Sequence, residues 1–313
     1  MQEVIIAKNE SGQRLDKYLH KFMPYATTSF FYKMLRKKNI VLNGKKAEGN
    51  EKLTEGDHIA FFLADDTISK FRTESHMDTS LYVKAFHSIR GIDVLYEDED
   101  VIFLNKPVNV LTQQAEGQNI SLNEWLLGYL LENKKITSEE LRTFKPSVCN
   151  RLDRNTTGIV LCGKSLSGLQ ILSKALVERS VHKYYRCMVE GTLTESMALD
   201  GYLYKNEKTN TVVISKQALP GYEPIRTNFV PIEHRNGCTE LEVELITGKT
   251  HQIRAHLASI THPIIGDYKY SGKQDKRYHH QLLHAYRVVF PDNFELSHLS
   301  DREFICPKPF DWL

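Results

Sequence analysis

The stretch Asn150-Arg151-Leu152-Asp153-Arg154-Asn155-Thr156-Thr157-Gly158 places one carboxylate between two arginines in a polar turn. The apolar run Ile159-Val160-Leu161-Cys162 follows directly and predicts a strand. Cationic neighbours favour the ionised form of a carboxylate, so Asp153 suits a nucleophile or a base better than an acid. The spacing alone leaves a second interpretation open, in which Asp153 only caps its own turn.

The composition predicts a packed globular protein. The chain has 313 residues, of which 41% are hydrophobic and 26% charged, and its length predicts two domains. No apolar run approaches the roughly 20 residues that a membrane helix needs, and the start Met1-Gln2-Glu3-Val4 lacks the pattern of a signal peptide. Five widely spaced cysteines without a Cys-x-x-Cys pair predict reduced thiols. We therefore expect a cytoplasmic monomer without membrane contact.

Positive charge is concentrated at the start of the chain. Residues 1–46 carry ten Lys/Arg against three acids, which gives +7, so a total of +2 leaves −5 for the remainder. A basic N-terminal segment followed by a mildly acidic remainder is typical of an appended nucleic-acid-binding module. The plain alternative is a solvated charged helix in any small domain.

Residues 1–63 predict a small α/β domain. A short amphipathic helix starts within residues 13–19, and Ser29 can cap a second helix from Phe30 to Lys37. The Asn43-Gly44 turn after an apolar strand is a strong hairpin signal. The pattern resembles the small RNA-binding domain first described in ribosomal small-subunit protein four. The resemblance implies that these basic side chains bind RNA: Arg14, Lys17, Lys33, Arg36, Lys37 and Lys45.

The rest of the chain divides into two parts. Residues 64–90 show little periodicity and predict a linker. In residues 91–313 the predicted strands outnumber the helices and no repeating βαβ pattern appears. The sequence therefore predicts an α+β fold, in which a domain with a mostly antiparallel mixed sheet follows the small α/β domain.

The Asp153 turn resembles the catalytic motif of the pseudouridine synthases that modify ribosomal RNA and some transfer RNAs. The family pattern reads His-Arg-Leu-Asp-x-x-Thr-Ser-Gly, and here Asn150 replaces the His and Thr157 the Ser. Further segments match the same family in the same order: Lys183-x-Tyr185 with Val189-Glu190-Gly191, then Thr247-Gly248-Lys249-Thr250-His251-Gln252-Ile253-Arg254-x-His256-Leu257, then His262-Pro263-Ile264-x-Gly266-Asp267, then Leu283-His284-Ala285.

The resemblance implies an RNA pseudouridine synthase, an isomerase that needs no metal and no cofactor. Such an enzyme breaks the C1′–N1 bond of uridine and rejoins the sugar to C5 of the same base. The resemblance makes Asp153 the catalytic carboxylate, acting either by direct attack or by removing a sugar proton. It makes Arg254 the partner of that carboxylate, and it places Tyr185 against the flipped base.

RNA contacts are implied at three further residues. Arg151 is placed to fill the gap that the flipped uridine leaves, or alternatively to clamp a phosphate. His251 and Gln252 are expected to touch the RNA backbone. An appended binding domain favours large-subunit ribosomal RNA as the substrate by analogy, with transfer RNA as the alternative.

Three rival functions are less compatible with the sequence. Residues five apart on a helix point about 140° from each other, so His251 and His256 do not share a metal-binding face. A glycosidase needs a second carboxylate opposite Asp153, whereas the motif supplies arginines and hydroxyls. A catalytically silent RNA-binding protein would keep the basic N-terminal segment, but the presence of Asp153, Tyr185 and Arg254 favours an enzyme.

Overall fold

The computed structural model describes residues 2–72, 78–117, 120–270 and 278–307. We call residues 2–72 the head and residues 78–307 the large domain. The head contains a four-stranded antiparallel sheet in the order β1-β4-β2-β3, and the helices pack against it. Its elements are β1 (Gln2–Ile5), α1 (Leu15–Phe22), α2 (Thr28–Arg36), β2 (Ile40–Leu42), β3 (Lys45–Lys46), β4 (His58–Phe61) and α3 (Asp65–Phe71).

Helix α2 of the head is amphipathic, as its sequence predicts. It buries one apolar face and leaves one basic face exposed. The predicted cap at Ser29 is wrong: Thr27 is the N-cap residue, because its hydroxyl accepts the Phe30 N–H at 3.3 Å. The helix therefore begins two residues earlier than expected.

The large domain is built on an eleven-stranded sheet. The strand order is β11-β10-β12-β13-β9-β14-β8-β6-β5, with β7 paired to β8 and β15 to β14. The β8–β14 pair is parallel, and the other described pairs are antiparallel. The elements are α4 (Ser80–Ser88), β5 (Asp93–Glu97), β6 (Val101–Lys106), α5 (Leu122–Glu132), α6 (Glu140–Thr143), β7 (Ser147–Val148), β8 (Thr157–Gly163), α7 (Leu166–Glu178), β9 (His182–Glu190), β10 (Met197–Asn206), β11 (Thr211–Ser215), β12 (Glu223–Arg235), β13 (Cys238–Leu245), α8 (Gln252–Ser259), β14 (Leu283–Val289) and β15 (Glu303–Ile305).

Two apolar cores lie on opposite faces of this sheet. Helices α4, α5 and α8 contribute to the larger core, and α7 contributes to the smaller one. Side chains alternate along a strand, so Tyr185 and Cys187 of β9 both face the larger core, on the α8 side. The mixed, mostly antiparallel architecture confirms the predicted α+β fold.

The segment 64–90, predicted as a linker, contains two helices, and its residues 73–77 lie outside the described ranges. Helix α3 packs into the head core through Ile68, whereas α4 packs on α5. The approach of α4 to α5 is close, because a methyl group on Gly128 would lie 2.1 Å from Tyr82 O. Tertiary packing stabilises these helices, whose own periodicity is weak, and the division of the chain at residues 64–90 stays a prediction.

The head contacts the large domain through polar side chains. The Thr143 hydroxyl donates to the buried carboxylate of Glu10, and Arg72 pairs with Glu139 at 3.0 Å. The Arg72 guanidinium also lies 4.4 Å from the centre of the Phe22 ring. Among the described helices, none is long and apolar enough to cross a membrane.

Candidate active site

The turn that carries Asp153 is held by a buried threonine. The Thr112 hydroxyl donates to Leu152 O at 2.8 Å and accepts the Leu152 N–H at 3.1 Å. Within the turn, the Thr156 N–H donates to Asp153 O at 3.1 Å. The backbone on both sides of Asp153 is therefore fixed before any substrate binds.

Lys106, at the end of β6, also holds the turn that carries Asp153. Its ammonium group donates to the carbonyls of Pro107, Val110 and Arg154 at 2.8, 2.9 and 2.9 Å. Burial lowers the pKa of Lys106 to about 7, with Asp153 opposing the shift. However, three carbonyl oxygens need three N–H donors, which only the ammonium form has. We conclude that Lys106 stays protonated and connects β6 to the Asp153 turn.

Asn150, which stands where the family has His, forms a side-chain bridge to β8. Its Oδ1 accepts the Leu161 N–H at 2.8 Å, and its Nδ2 lies 3.5 Å from Ile159 O. An amide offers both an acceptor and a donor, so it can bond two successive positions of a strand edge. The turn therefore keeps local support despite the replacement.

The start of β8 lies close against its parallel neighbour β14. Gly158 has φ +107°, and a methyl group on it would lie 2.1 Å from Ala285 O. Beside it, Thr157 Oγ1 lies 2.7 Å from His284 Nδ1, and His284 Nε2 lies 3.0 Å from Cys306 O. A carbonyl can only accept, so Nε2 carries the proton and the Thr157 hydroxyl donates to Nδ1.

The central feature of the site is an ion-pair chain. Arg254 of α8 contacts Asp153 Oδ2 through Nη1 at 2.7 Å, as the family resemblance implies. On its other edge, Nε and Nη2 of Arg254 contact Oδ2 and Oδ1 of Asp267 at 2.7 and 2.8 Å. The two carboxylates raise the pKa of Arg254, against the opposing effect of burial. The arginine is therefore a fixed cation that aims the Asp153 carboxylate.

The two oxygens of the Asp153 carboxylate have different environments. Both contacts found within the described residues, to Arg254 at 2.7 Å and to His251 Nε2 at 3.8 Å, involve Oδ2. Oδ1 accepts no hydrogen bond from these residues, and the side chain is 25% exposed. One oxygen is thus anchored, and the other is available to react.

Tyr185 of β9 belongs to the core on the face of the sheet that α8 covers. The residue is 6% exposed. Burial, and secondarily the negative charge of Asp153, raise the pKa of its hydroxyl, so the phenol stays protonated. A protonated phenol can donate a hydrogen bond.

His251 belongs to the buried site and not to an exposed RNA-binding surface. It has φ +52° at the N-cap of α8, and its side chain is 8% exposed. Its Nδ1 lies 2.8 Å from the Tyr270 hydroxyl, which itself accepts the Val212 N–H at 3.0 Å. If the Tyr270 hydroxyl donates to Nδ1, every group is satisfied and Nε2–H faces Asp153. Burial lowers the pKa of His251 to about 4, which keeps the ring neutral.

Gln252 is 2% exposed, and the structure does not support its predicted contact with RNA. Its Oε1 accepts from the Thr247 hydroxyl at 2.8 Å and from the Lys249 N–H at 3.1 Å. Its Nε2 donates to Arg226 O and Thr227 Oγ1 at 3.0 and 2.9 Å. All four hydrogen-bonding positions of the amide are used internally, so Gln252 fixes the turn before α8.

The remaining RNA-contact candidates lie on the surface. Arg151 is exposed at the edge of the Asp153 turn. In the head, Arg14 is paired with Asp16 at 2.7 Å, which reduces its availability to RNA. The other candidates are exposed and form no ion pair within the described ranges: Lys17, Lys33, Arg36, Lys37 and Lys45. In the described part of the chain, no group of three His, Cys, Asp or Glu side chains could hold a metal ion.

Sequence comparison shows which protein family the chain belongs to. Residues 100–259, about half of the chain, match the model of the family described as RNA pseudouridylate synthase. The chain belongs to this family. It is an RNA pseudouridine synthase, an isomerase, and Asp153, Tyr185 and Arg254 all lie inside the matched range, whereas Asp267 and His284 lie beyond it.

Relatives match this pseudouridine synthase over nearly their whole length. An uncharacterized RNA pseudouridine synthase of Mycoplasma genitalium is 30% identical over 298 residues, 92% of this chain and 88% of that protein. The ribosomal large subunit pseudouridine synthase C of Vibrio vulnificus is 29% identical over 93% of this chain and 88% of its own. The structure of human RNA pseudouridylate synthase domain containing 1 has the same fold, with a TM-score of 0.56 and 22% identity over 71% of this chain and 86% of that one.

Proposed function

We propose that this pseudouridine synthase modifies uridines of large-subunit ribosomal RNA and that Asp153 is its catalytic carboxylate. The proposed role of Asp153 is supported by the different surroundings of its two carboxylate oxygens. Oδ2 is bound by Arg254 at 2.7 Å, while Oδ1 is free of hydrogen bonds from the described residues. An ionised carboxylate with one anchored and one free oxygen suits a nucleophile or a base.

The chemistry follows from this arrangement. Oδ1 either attacks the target nucleotide, forming a bond that breaks again when C5 bonds to C1′, or takes a proton from the sugar and returns it to the sugar when C5 bonds to C1′. On either route the C1′–N1 bond breaks and the C1′–C5 bond forms. The C5 proton then leaves the base and N1 takes up a proton, so the product is an isomer of the substrate. Arg254 holds the carboxylate in its charged form, and Tyr185 stacks on the flipped base as a neutral phenol. Flipping the base from its stack costs a few kcal/mol, and the exposed Arg151 is placed to fill the gap.

The proposed substrate rests on two observations. The Vibrio vulnificus relative is named for the large ribosomal subunit. The head presents a basic face on α2, which suits a phosphate backbone. We propose that the chain acts as a monomer, with the head as its RNA anchor, in the cytoplasm where ribosomes are assembled.

The test compares RNA from cells with and without this gene. Pseudouridines are mapped by carbodiimide labelling, and the deletion is complemented with wild type, Asp153→Asn or Asp200→Asn. Asp200 is a matched control, because it is an exposed carboxylate of β10 that lies 3.8 Å from Arg226. We expect sites in large-subunit RNA to disappear on deletion and to return with wild type and Asp200→Asn only.

Other outcomes would contradict parts of the proposal. Loss of sites in transfer RNA alone would overturn the substrate. Restoration by Asp153→Asn would overturn the role of Asp153. If no site changes, purified protein on transcribed ribosomal and transfer RNA decides between a redundant enzyme and a protein that binds RNA without modifying it.

A further inference from the structure

Tyr270 joins the edge of the sheet to the residues around Asp153. Strand β11 is the last strand in the order of the sheet, and its Val212 N–H donates to the Tyr270 hydroxyl at 3.0 Å. The same hydroxyl lies 2.8 Å from His251 Nδ1, and the Arg254 guanidinium lies 5.1 Å from the centre of the Tyr270 ring. Tyr270 therefore contacts Arg254 and His251, two basic side chains next to Asp153 Oδ2.

The hydrogen bonds of the Tyr270 hydroxyl indicate which nitrogen of His251 carries the proton. A phenol has one proton to donate, and its contacts in the described ranges are the Val212 N–H and His251 Nδ1. The Val212 N–H can only donate, so the hydroxyl proton goes to Nδ1 and the ring proton is on Nε2. The opposite tautomer would leave the phenol proton without an acceptor in those ranges and turn the Nε2 lone pair towards Asp153 Oδ2, 3.8 Å away. Burial also lowers the pKa of His251 to about 4, so the ring holds a single proton.

The Nε2–H of His251 faces the same Asp153 oxygen that Arg254 holds. Arg254 Nη1 lies 2.7 Å from Oδ2, whereas His251 Nε2 lies 3.8 Å from it, which is an electrostatic attraction longer than a hydrogen bond. A single contact lets the carboxylate turn about the anchored oxygen, whereas a second N–H beside the same oxygen opposes that turn. Oδ1 is thereby kept apart from both donors and free to react.

We propose that Tyr270 and His251 are positioning residues that orient the Asp153 carboxylate for the reaction. The inference rests on the proposed function, since it assumes that Asp153 Oδ1 acts on the target nucleotide. Tyr270 holds the ring of His251 with its proton on Nε2, and this N–H acts together with Arg254 on Oδ2. Neither Tyr270 nor His251 makes or breaks a covalent bond in this proposal.

The backbone at residue 251 allows a positioning role to be separated from a structural one. His251 has φ +52°, a conformation that Asn tolerates better than Gln. However, the amide nitrogen of Gln reaches about as far as imidazole Nε2, whereas that of Asn reaches only the position of Nδ1. A purely structural role therefore predicts that His251→Asn is the better enzyme, and the positioning role predicts that His251→Gln is.

The experiment uses full-length protein and an RNA fragment containing a uridine that the wild type converts. We would measure kcat and KM for wild type, Tyr270→Phe, His251→Gln, His251→Asn and Tyr129→Phe. Tyr129 is the matched control, because it is a half-buried tyrosine of α5 whose hydroxyl donates to Glu97 at 2.9 Å. NMR of protein with nitrogen-15-labelled histidine reports which ring nitrogen carries the proton, and the spectrum of His251→Gln identifies the signals of His251.

We expect Tyr270→Phe and His251→Asn to lower kcat about tenfold, in line with the loss of one polar contact to a charged group, while KM stays within about twofold. His251→Gln should keep kcat within about threefold of wild type, because its amide restores that contact. Tyr129→Phe should behave as wild type. In the wild-type spectrum Nε2 of His251 should carry the proton, and the Nδ1 signal should move in Tyr270→Phe but not in Tyr129→Phe.

Either of two results would overturn the inference while leaving the proposed function intact: a proton on Nδ1 of wild-type His251, or a higher kcat in His251→Asn than in His251→Gln. If Tyr270→Phe does not fold, the wild-type spectrum and the two His251 variants decide in the same way. Turnover that survives in Asp153→Asn, or a wild type that converts no uridine in any RNA, would overturn the proposed function and the inference with it.

Discussion

Asp267 contacts Arg254 through both of its carboxylate oxygens, at 2.7 and 2.8 Å, on the edge of the guanidinium that faces away from Asp153. Asp267 is fully buried and lies beyond the part of the chain that matches the family model. The bidentate contact fixes the plane of the guanidinium, so only Nη1 is left to contact the Asp153 carboxylate. The orientation of Asp153 therefore depends on a residue that has no exposed surface.

Replacing Asp267 should disable the enzyme without touching Asp153. In Asp267→Asn the Nε and Nη2 atoms of Arg254 lose their charged partner, so the free energy of unfolding should fall by about 3 kcal/mol. A guanidinium displaced by about 1 Å should lower kcat/KM roughly 100-fold. Urea unfolding and single-turnover kinetics measure the two effects, with Asp200→Asn as the exposed control. Wild-type turnover in Asp267→Asn would contradict this account.

Lys106→Met should destabilise the catalytic turn. The substitution keeps the length of the side chain but leaves the carbonyls of Pro107, Val110 and Arg154 without their donor. Each unsatisfied buried group costs about 1–3 kcal/mol, so we expect a loss of at least about 3 kcal/mol in unfolding free energy and a large drop in turnover. Lys164→Met, which removes a lysine that pairs with Glu97, should cost less. Equal losses in the two variants would contradict the assigned role.

Acid should destabilise the fold through two buried histidines. Burial lowers the pKa values of His251 and His256 to about 4 from an ordinary value of 6.5. Between those values the unfolded chain binds protons that the folded chain does not, so the unfolding free energy should fall as the pH drops from 6.5 towards 4. We expect a loss on the order of 1–3 kcal/mol per histidine.

The His251→Asn variant tests this pH dependence. Asn tolerates the left-handed backbone at this position and does not titrate, so part of the slope should disappear while the share of His256 remains. Urea unfolding at pH 7, 5.5 and 4.5 provides the comparison. An unchanged slope in His251→Asn would show that the histidine does not titrate with folding.

The basic face of the head should supply much of the salt dependence of RNA binding. Changing Lys33, Arg36 and Lys37 together to Gln removes three exposed charges from α2 without touching its buried face. The log–log slope of affinity against KCl should fall by roughly 2 if all three contact phosphates. Lys174→Gln, on α7 in the large domain, removes a lysine paired with Glu295 and is the control. A slope that stays at the wild-type value would place the RNA anchor elsewhere.

The sequence predicted the parts of the site that lie within local motifs. The turn at Asp153, the strand of Tyr185 and the helix of Arg254 each have a local pattern of residues. By contrast, the contacts of Asp267 and Lys106 are set by how distant segments pack, and no local pattern reports which carbonyls surround an ammonium group. Gln252 was assigned to RNA because it is polar and adjacent to the motif, whereas the fold uses its amide internally.

Dependence on distant packing also explains why the helices within residues 64–90 were not predicted. Residues 80–88 have a weak helical pattern, and packing on α5, which includes the close approach at Gly128, makes that helix favourable. Helices of this length are marginal in isolation, so their stability comes from the partner that buries them. Segments that depend on a distant partner are therefore the ones that periodicity fails to predict.

Gly158 provides a test of how the catalytic turn meets the sheet. Gly158 and Gly237 both have positive φ, at +107° and +74°, but a methyl group at Gly158 would lie 2.1 Å from Ala285 O, whereas nothing lies within 4 Å of one at Gly237. Gly237→Ala should therefore cost only the backbone strain, about 1–2 kcal/mol. Gly158→Ala should cost clearly more, because β8 and β14 must also separate. The separation would shift Asp153 relative to Arg254, so kcat should fall in Gly158→Ala and stay near wild type in Gly237→Ala. Equal unfolding free energies for the two variants, measured in urea, would mean that the close approach of β8 to β14 does not constrain the site.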